Sequence, residues 1–394
     1  MTRPAQPGPI RVGLIRGAFL NPFEMQTFER MQPEVAFEAY HIRINRFAVD
    51  GIKLPLRRMR CIDDLAARLS PRLGYYFDLA LQATCGLDYY HFGLDKALAR
   101  QQIAHTMETF NVFSYQALLA KRRHGTKLVV TVFENRPFAA ERFAAKRRMK
   151  YQVLHGADLF IVPTPRAGEC LVLEGADPAR IRVIPTGIDL ERFRPRPAPA
   201  GERARLNLFP GDFVFLSVAV LRWEKGVHEI LQAFAKLVRE QPSAPLRLVF
   251  AGRGPEQELL RTRSLQLGVA DRVIFTRFPY ERMHHAYNLA DVCLLNSAPR
   301  KGWLEQFGFV LPEALASGVP VIATQSGSIP EVVGDAARLV PPADFLALHA
   351  AMRELWTNAQ ERRRLSAAGR ARAEREYDAG KNSLRFREAY ESVL

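Results

Sequence analysis

Two carboxylates with seven residues between them, Glu305 and Glu313, hold the most promising chemistry in this chain. They stand in Leu304 to Val333, LEQFGFVLPEALASGVPVIATQSGSIPEVV, where the second opens a predicted helix. Pro312 fits that helix's first turn, where a missing N–H costs nothing, and Ser317-Gly318 supplies a residue suited to the left-handed cap. Phe307, Gly308, Phe309 and Val310 would feed the helix start, whose unused backbone N–H groups and dipole attract an anion such as a diphosphate. A carboxylate beside such an anion suits the hydroxyls of a sugar. The plainer alternative for Glu313 is a charge that complements the dipole.

Cations stand at a second strand-to-helix junction. Phe213 to Glu240, FVFLSVAVLRWEKGVHEILQAFAKLVRE, reads as a strand, a turn holding Arg222 and Lys225, and a helix with Val227, Ile230, Leu231, Phe234, Leu237 and Val238 on one face. Positive side chains just before a helix start work against its dipole, and an anionic ligand resolves the conflict. Extension into solvent is the other resolution. Arg grips phosphate oxygens in pairs, while Lys acts as a point charge. Gly252 and Gly254, in AGRGP after the strand LRLVF, let the backbone approach a ligand, although a tight turn needs them equally. Glu108 and Glu134 each follow a strand at its carboxyl end, the edge that lines the crevice of a doubly wound sheet and would meet an acceptor hydroxyl. Glu134-Asn135-Arg136-Pro137 also suits an exposed turn. His105 reads as a structural histidine, and Asp63-Asp64 as a helix start rather than a metal pair.

Such residues need rigid elements, and short β-branched runs alternating with amphipathic segments provide them twice over. Strands are predicted at Ile10 to Ile15, Ala36 to Asn45, Gln102 to His105, Lys127 to Phe133, Leu159 to Val162 and Ile181 to Ile184. A second set follows at Phe213 to Val218, Leu246 to Ala251, Val273 to Thr276, Val292 to Asn296, Val319 to Ala323 and Ala337 to Val340. The Pro-rich stretch at 193–207 is expected to link a first domain, 1–192, to a second, 208–377. A helix is predicted over 346–377, ended by Ala379-Gly380, and another over 383–394, whose apolar stripe Leu384, Phe386, Ala389, Tyr390 and Val393 must pack on something, such as the first domain.

With 394 residues, 48% hydrophobic and 25% charged, the chain is long enough for two globular cores and carries no apolar run near the ~20 residues of a membrane span. The opening MTRPAQPGP lacks the apolar stretch of a secretory signal, so a cytoplasmic protein with a loose tail is expected. Its 4 cysteines lie far apart without a C-x-x-C pair, which argues against a disulfide framework or a zinc site. The net charge of +15 favours an anionic partner, unless it merely follows an Arg-rich composition. KLPLRRMR at 53–60 and FAAERFAAKRRMKY at 138–151 read as basic amphipathic stretches that would rest on an anionic membrane or form solvated faces. The basic residues are dispersed and no RNP-type or zinc-finger motif is present, so nucleic acid is not expected as a partner.

Glu305-Gln306-Phe307-Gly308, Glu313, Ser317-Gly318-Val319-Pro320-Val321 and Gly327 to Glu331 resemble the C-terminal motif of retaining family-4 glycosyltransferases, which adopt the GT-B fold. Ile184 to Asp189 with Phe193 and Pro195 is similar to that family's interdomain segment, and Glu224-Lys225-Gly226 and Gly252 to Pro255 also match. Patchier likeness covers Gln102 to Glu108, Leu128 to Phe138 and Gly156 to Thr164. The resemblance implies an α/β protein of two Rossmann-like domains facing across a cleft, with a nucleotide sugar (UDP- or GDP-linked) on the second and a hydroxyl acceptor on the first. It implies no cofactor and no metal. Glu313 would bind the ribose hydroxyls and Lys225 the diphosphate, Glu305 would contact the transferred sugar, and Phe307 to Val310 would help hold phosphates and sugar. Arg277-Phe278-Pro279 would flank the base.

The chain departs from the family at several points. The Arg five positions before the Lys is Val220, which leaves Arg222 to reach the phosphate from a shifted position. A loop glycine is replaced by Arg277, and the glycine-rich opening loop, which the resemblance would bring to the donor, is reduced to Gly17. The acceptor-side histidines become Met107 and Phe133, beside Glu108 and Glu134, so carboxylates are expected to take their place. A GT-B sugar-nucleotide epimerase or phosphorylase, or a non-enzymatic protein that binds anions or nucleic acid, are the competing readings.

Overall fold

A computed structural model describes residues 8–66 and 70–394; the first seven residues of the expected tail lie outside them. The chain divides into two bodies, one built from Met1–Gly187 with Ala379–Leu394 and the other from Ile188–Asp378. Each is a parallel sheet covered by helices.

The first sheet comprises β1 (Ile10–Ile15), β2 (Val35–Ile42), β3 (Leu56–Met59), β4 (Ile103–Met107), β5 (Lys127–Thr131), β6 (Leu159–Val162) and β7 (Ile181–Val183), in the order β3-β2-β1-β4-β5-β6-β7. The second comprises β8 (Phe213–Val218), β9 (Leu246–Ala251), β10 (Val273–Thr276), β11 (Val292–Leu295), β12 (Val321–Thr324) and β13 (Ala337–Val340), in the order β10-β9-β8-β11-β12-β13. All pairings between these strands are parallel. Central strands such as β8 (FVFLSV) are buried along their whole length, as a sheet covered on both faces requires. The strand order reverses between β1 and β4 and between β8 and β11, and the crevice for a ligand in such sheets opens beyond the carboxyl ends at that reversal.

Helices start where the sequence supplies caps. Asn21 accepts from the Glu24 N–H at 2.8 Å ahead of Pro22–Glu29, and Thr164 accepts from the Ala167 N–H ahead of Pro165–Leu173. In Val227–Glu240 the expected stripe of Val227, Ile230, Leu231, Phe234, Leu237 and Val238 is buried.

Several expectations are corrected. The basic stretch 53–60 holds an edge strand, β3, three of whose four residues are exposed. In 138–151, Phe138 and Ala140 take left-handed conformations before the helix Ala144–Gly156, which turns Lys146 and Lys150 inward. Lys146 pairs with Asp88, and Lys150 with Glu141 (2.9 Å) and Glu174 (2.7 Å). The segment 193–207 belongs to the second body: Phe193 is fully buried against Tyr280, His284 and Tyr287, and a short helix spans Ala200–Arg205. The helix predicted over 346–377 is two helices, Phe345–Thr357 and Ala359–Glu376, parted at Asn358, whose side chain caps the second. Ala379-Gly380 does not break the chain but begins the helix Ala379–Glu391, which packs on the first body through Phe386, Ala389 and Tyr390 and leaves Leu384 exposed.

Candidate active site

After β8 the chain turns sharply through Trp223–Lys225, and Gly226 follows at φ +62°. A Cβ there would stand 2.0 Å from the carbonyl oxygen of Asn296, so a glycine is needed for this turn to press against the end of β11. The close approach brings Lys225 Nζ within 2.6 Å of Glu305 Oε2. The same oxygen accepts from Ser297 Oγ at 2.6 Å, and the ammonium lies 4.7 Å from the centre of the Trp303 ring. The Glu305 backbone is fixed in turn, because its carbonyl accepts from the Ser328 N–H at 3.0 Å and lies so close to Gly327 that a Cβ there would sit 2.1 Å away. A cation, a carboxylate and a hydroxyl thus meet beyond the carboxyl ends of β8 and β11, at the reversal of strand order.

Glu313 sits in the helix Val310–Ala316, with Pro312 at its third position and Gly318 left-handed just after its end. Its carboxylate is buried. Oε1 accepts from Tyr280 Oη at 2.8 Å and Oε2 from Tyr287 Oη at 2.7 Å. Burial pushes its pKa up to about 7, against the opposing pull of the two phenol donors and the Arg192 charge. The Arg192 guanidinium lies 4.7 Å from the Tyr280 ring centre and 4.9 Å from that of Phe193. Phe307 anchors the preceding loop, buried against Phe309 and Tyr377, while Gly308 at φ +73°, Phe309 and Val310 are half-buried.

The remaining second-body candidates are placed differently. Arg222 lies outside the Lys225–Glu305 cluster; its side chain is 59% exposed and reaches Glu224 at 3.7 Å. Val220, at the position of the family's arginine, is also exposed. Gly252 and Gly254 are pressed against the turn after β8, with added Cβ atoms 1.8 Å from the Ala219 oxygen and 2.2 Å from the Leu221 oxygen. Their close approach serves this packing of protein on protein. Arg277 is exposed, whereas Phe278 is buried beneath the Arg205 guanidinium.

In the first body, Glu108 and Glu134 come together at the ends of β4 and β5. Glu108 takes φ +59°, unusual for a residue with a side chain. Its Oε1 accepts from the Phe133 N–H at 2.9 Å, and its buried Oε2 has no partner. Burial first, then the charge of Glu134, pushes its pKa up to about 8. Glu134 is held on both oxygens by Arg136, at 2.9 and 3.0 Å. Gly17, expected to approach the donor, lies over Phe113, where a Cβ would meet the ring at 2.6 Å. His105 is structural: its Nδ1 bonds Tyr390 Oη at 2.6 Å and its Nε2 bonds Thr131 Oγ1 at 2.7 Å, while burial holds it neutral.

Sequence reasoning missed Ser297, Trp303, Tyr280 and Tyr287. The tyrosines did leave a signal: seven residues apart across a turn and the helix Met283–Asn288, they stand about two turns apart on one face, so both hydroxyls can meet a single carboxylate. It also missed Arg16, fully buried on Glu24 at 2.7 Å and bonded to the Ile15 and His105 carbonyls at the first sheet's reversal point.

Residues 201–372 match the family described as glycosyl transferases group 1, and residues 79–192 match glycosyltransferase family 4. A D-inositol 3-phosphate glycosyltransferase of Nocardia farcinica is 35% identical over 193 residues, 47% of this chain and 42% of that protein. A GDP-mannose-dependent alpha-(1-6)-phosphatidylinositol monomannoside mannosyltransferase of Mycolicibacterium smegmatis is 37% identical over 203 residues, 49% of this chain and 51% of its own. The chain thus spans about half the length of the curated relatives it matches. Among solved structures, Anabaena Alr3699/HepE in complex with UDP aligns with TM-score 0.75 at 17% identity, covering 97% of this chain and 100% of that one. The sucrose-phosphate synthase of Thermosynechococcus elongatus aligns at 0.72 and 20% identity, covering 98% and 99%. The fold, two Rossmann-like domains, is GT-B.

Proposed function

Because the chain belongs to the glycosyltransferases of group 1 and family 4, we propose that it transfers a hexose from a nucleotide diphosphate sugar, UDP- or GDP-linked, to a hydroxyl acceptor. The acceptor is a lipid-linked or cell-envelope glycan or a glycolipid, met in the cytoplasm at the inner face of the membrane. The transfer retains anomeric configuration and needs no metal ion. The observation that carries this reading is the Lys225–Glu305–Ser297 cluster at the reversal point of the second sheet. The names of the curated relatives support a phosphate-bearing inositol or an inositol lipid as the class of acceptor.

As the anomeric carbon–oxygen bond breaks, negative charge grows on the diphosphate, and a pre-positioned ammonium stabilises it without reorganisation. Lys225 is suited to this task because Glu305 and Trp303 fix it before the donor arrives. Glu305 also faces the transferred sugar. Glu313, oriented by Tyr280 and Tyr287, takes the ribose hydroxyls, and Phe307 to Val310 supply backbone contacts to phosphate and sugar. The acceptor oxygen bonds to the anomeric carbon on the face that the diphosphate leaves, and the departing phosphate oxygen takes the acceptor's proton. No protein base is required. With its pKa near 8, Glu108 is protonated at neutral pH and serves the acceptor as a hydrogen-bond donor.

The test is thermal stabilisation by UDP, GDP and ADP and by their glucose and mannose conjugates, since a ligand binding only the folded state at about 100 times its Kd adds roughly 2.7 kcal/mol. One base is expected to stand out, and Glu313→Ala to remove its effect. Lys225→Ala is expected to abolish transfer while leaving the fold intact; full activity in that folded variant contradicts the reading. The anomeric configuration of the product, read by NMR, decides retention.

A further inference from the structure

A groove of about 430 Å³ runs along the outer edge of the first sheet, lined by residues of β3 and of the helix Leu94–Leu98. Its charged lining residues are all cations: Arg57, Arg58, Arg60, Lys96 and Arg100. Beside them Phe92 is 47% exposed. Arg57 is neutralised by Glu38 at 3.1 Å. Asp95, within the same helix, is taken by Arg123 at 2.7 Å and His124 at 3.1 Å. Among the described residues no ion pair is formed by Arg58, Arg60, Lys96 or Arg100. Four uncompensated like charges around one concavity repel one another, and an anion held among them turns that repulsion into attraction.

The backbone adds to the site. Alternate residues of an edge strand turn their N–H and C=O away from the sheet. The Arg60 carbonyl does so, accepting from the Phe92 N–H at 2.9 Å, and Arg58, two residues earlier, presents its N–H on the same side. One or two charges suffice to keep an edge strand from pairing with another chain. This groove has more cations than that task needs, an aromatic face, and a volume in the range of small-molecule sites.

We propose that the groove binds a ligand bearing two or more phosphate groups, gripped by Arg58, Arg60, Lys96 and Arg100 with Phe92 against its apolar part. The proposal does not rest on the transferase reading, since binding here is measured without transfer. Tripolyphosphate is titrated into the full chain at low and high salt, in parallel with sedimentation on phosphatidylcholine vesicles with and without phosphatidylglycerol. Saturable, salt-weakened binding of tripolyphosphate is expected, with a loss of roughly tenfold or more in the Arg58→Glu/Lys96→Glu/Arg100→Glu variant. A Gln triple variant at the same positions keeps the test available should charge reversal impair folding, and a circular dichroism spectrum and melting temperature matching wild type verify the fold. Binding of tripolyphosphate alone assigns a soluble phosphorylated ligand; binding to phosphatidylglycerol vesicles as well, lost in the same variants, assigns the phosphates to adjacent lipid headgroups of one membrane surface. No binding by the wild type, or equal binding by the variants, overturns the proposal.

Discussion

Glu108 and Glu313 pose one physical problem in two bodies: a carboxyl group with too little water around it to ionise easily. In the folded protein each keeps its proton up to about pH 8 and pH 7, whereas an unfolded chain releases it near 4.5. Between those limits the folded state binds the extra proton, so the stability these groups contribute is full below about pH 4.5 and is lost as pH rises through their folded values. Each pH unit in that window costs about 1.4 kcal/mol per group. Glu108→Gln should therefore lose less stability than wild type between about pH 5 and pH 8 in urea unfolding, at roughly that slope; parallel losses would refute the argument. The sequence announced Glu305, Glu313 and Lys225 through their spacing around turn and helix signals. It did not announce the partners that hold them, because Ser297, Tyr280 and Tyr287 meet the carboxylates only after separate strands and helices have come together.

At the scale of elements, twelve of the strands were legible because each is a short apolar run bounded by turn residues. β3 was not, since LRRM carries the polar pattern of an edge and pairs on one side only. The turns after β8 and β9 are interlocked: the Leu221 N–H bonds the Arg253 carbonyl at 3.0 Å and the Glu256 N–H bonds the Leu221 carbonyl at 3.1 Å. Gly252→Ala forces a methyl group onto the Ala219 oxygen, so it should cost toward the upper end of about 1–3 kcal/mol in thermal unfolding and disturb Lys225 as well. The helix Ala379–Glu391 offers a second test. Tyr390→Phe removes the partner of the fully buried His105 Nδ1, and a loss of about 1–3 kcal/mol is expected by chemical denaturation.

At the scale of the whole molecule, the two-domain plan was legible from the doubled strand pattern, but its seams were not. The chain passes from the first body to the second between Gly187 and Ile188 and back between Asp378 and Ala379, while the prolines that advertised a linker, Pro195, Pro197 and Pro199, lie on the surface of the second beside the buried Phe193. Hydrogen exchange read across the chain tests where the donor sits. A bound nucleotide diphosphate should slow exchange in the turns after β8 and β11 and leave β1 to β7 as they were. Protection appearing instead in the first body would reassign the donor.

The return of the chain at Ala379 also bears on how the molecule is made. A ribosome delivers β1 to β7 early, yet Phe386 and Tyr390, which close the core around Phe28 and His105, emerge only after all of Ile188–Asp378 has been translated. Until then the nascent first body carries an open apolar face and an imidazole with its Nδ1 unsatisfied, the kind of half-finished surface that chaperones recognise. The order of synthesis therefore makes the second body finish before the first.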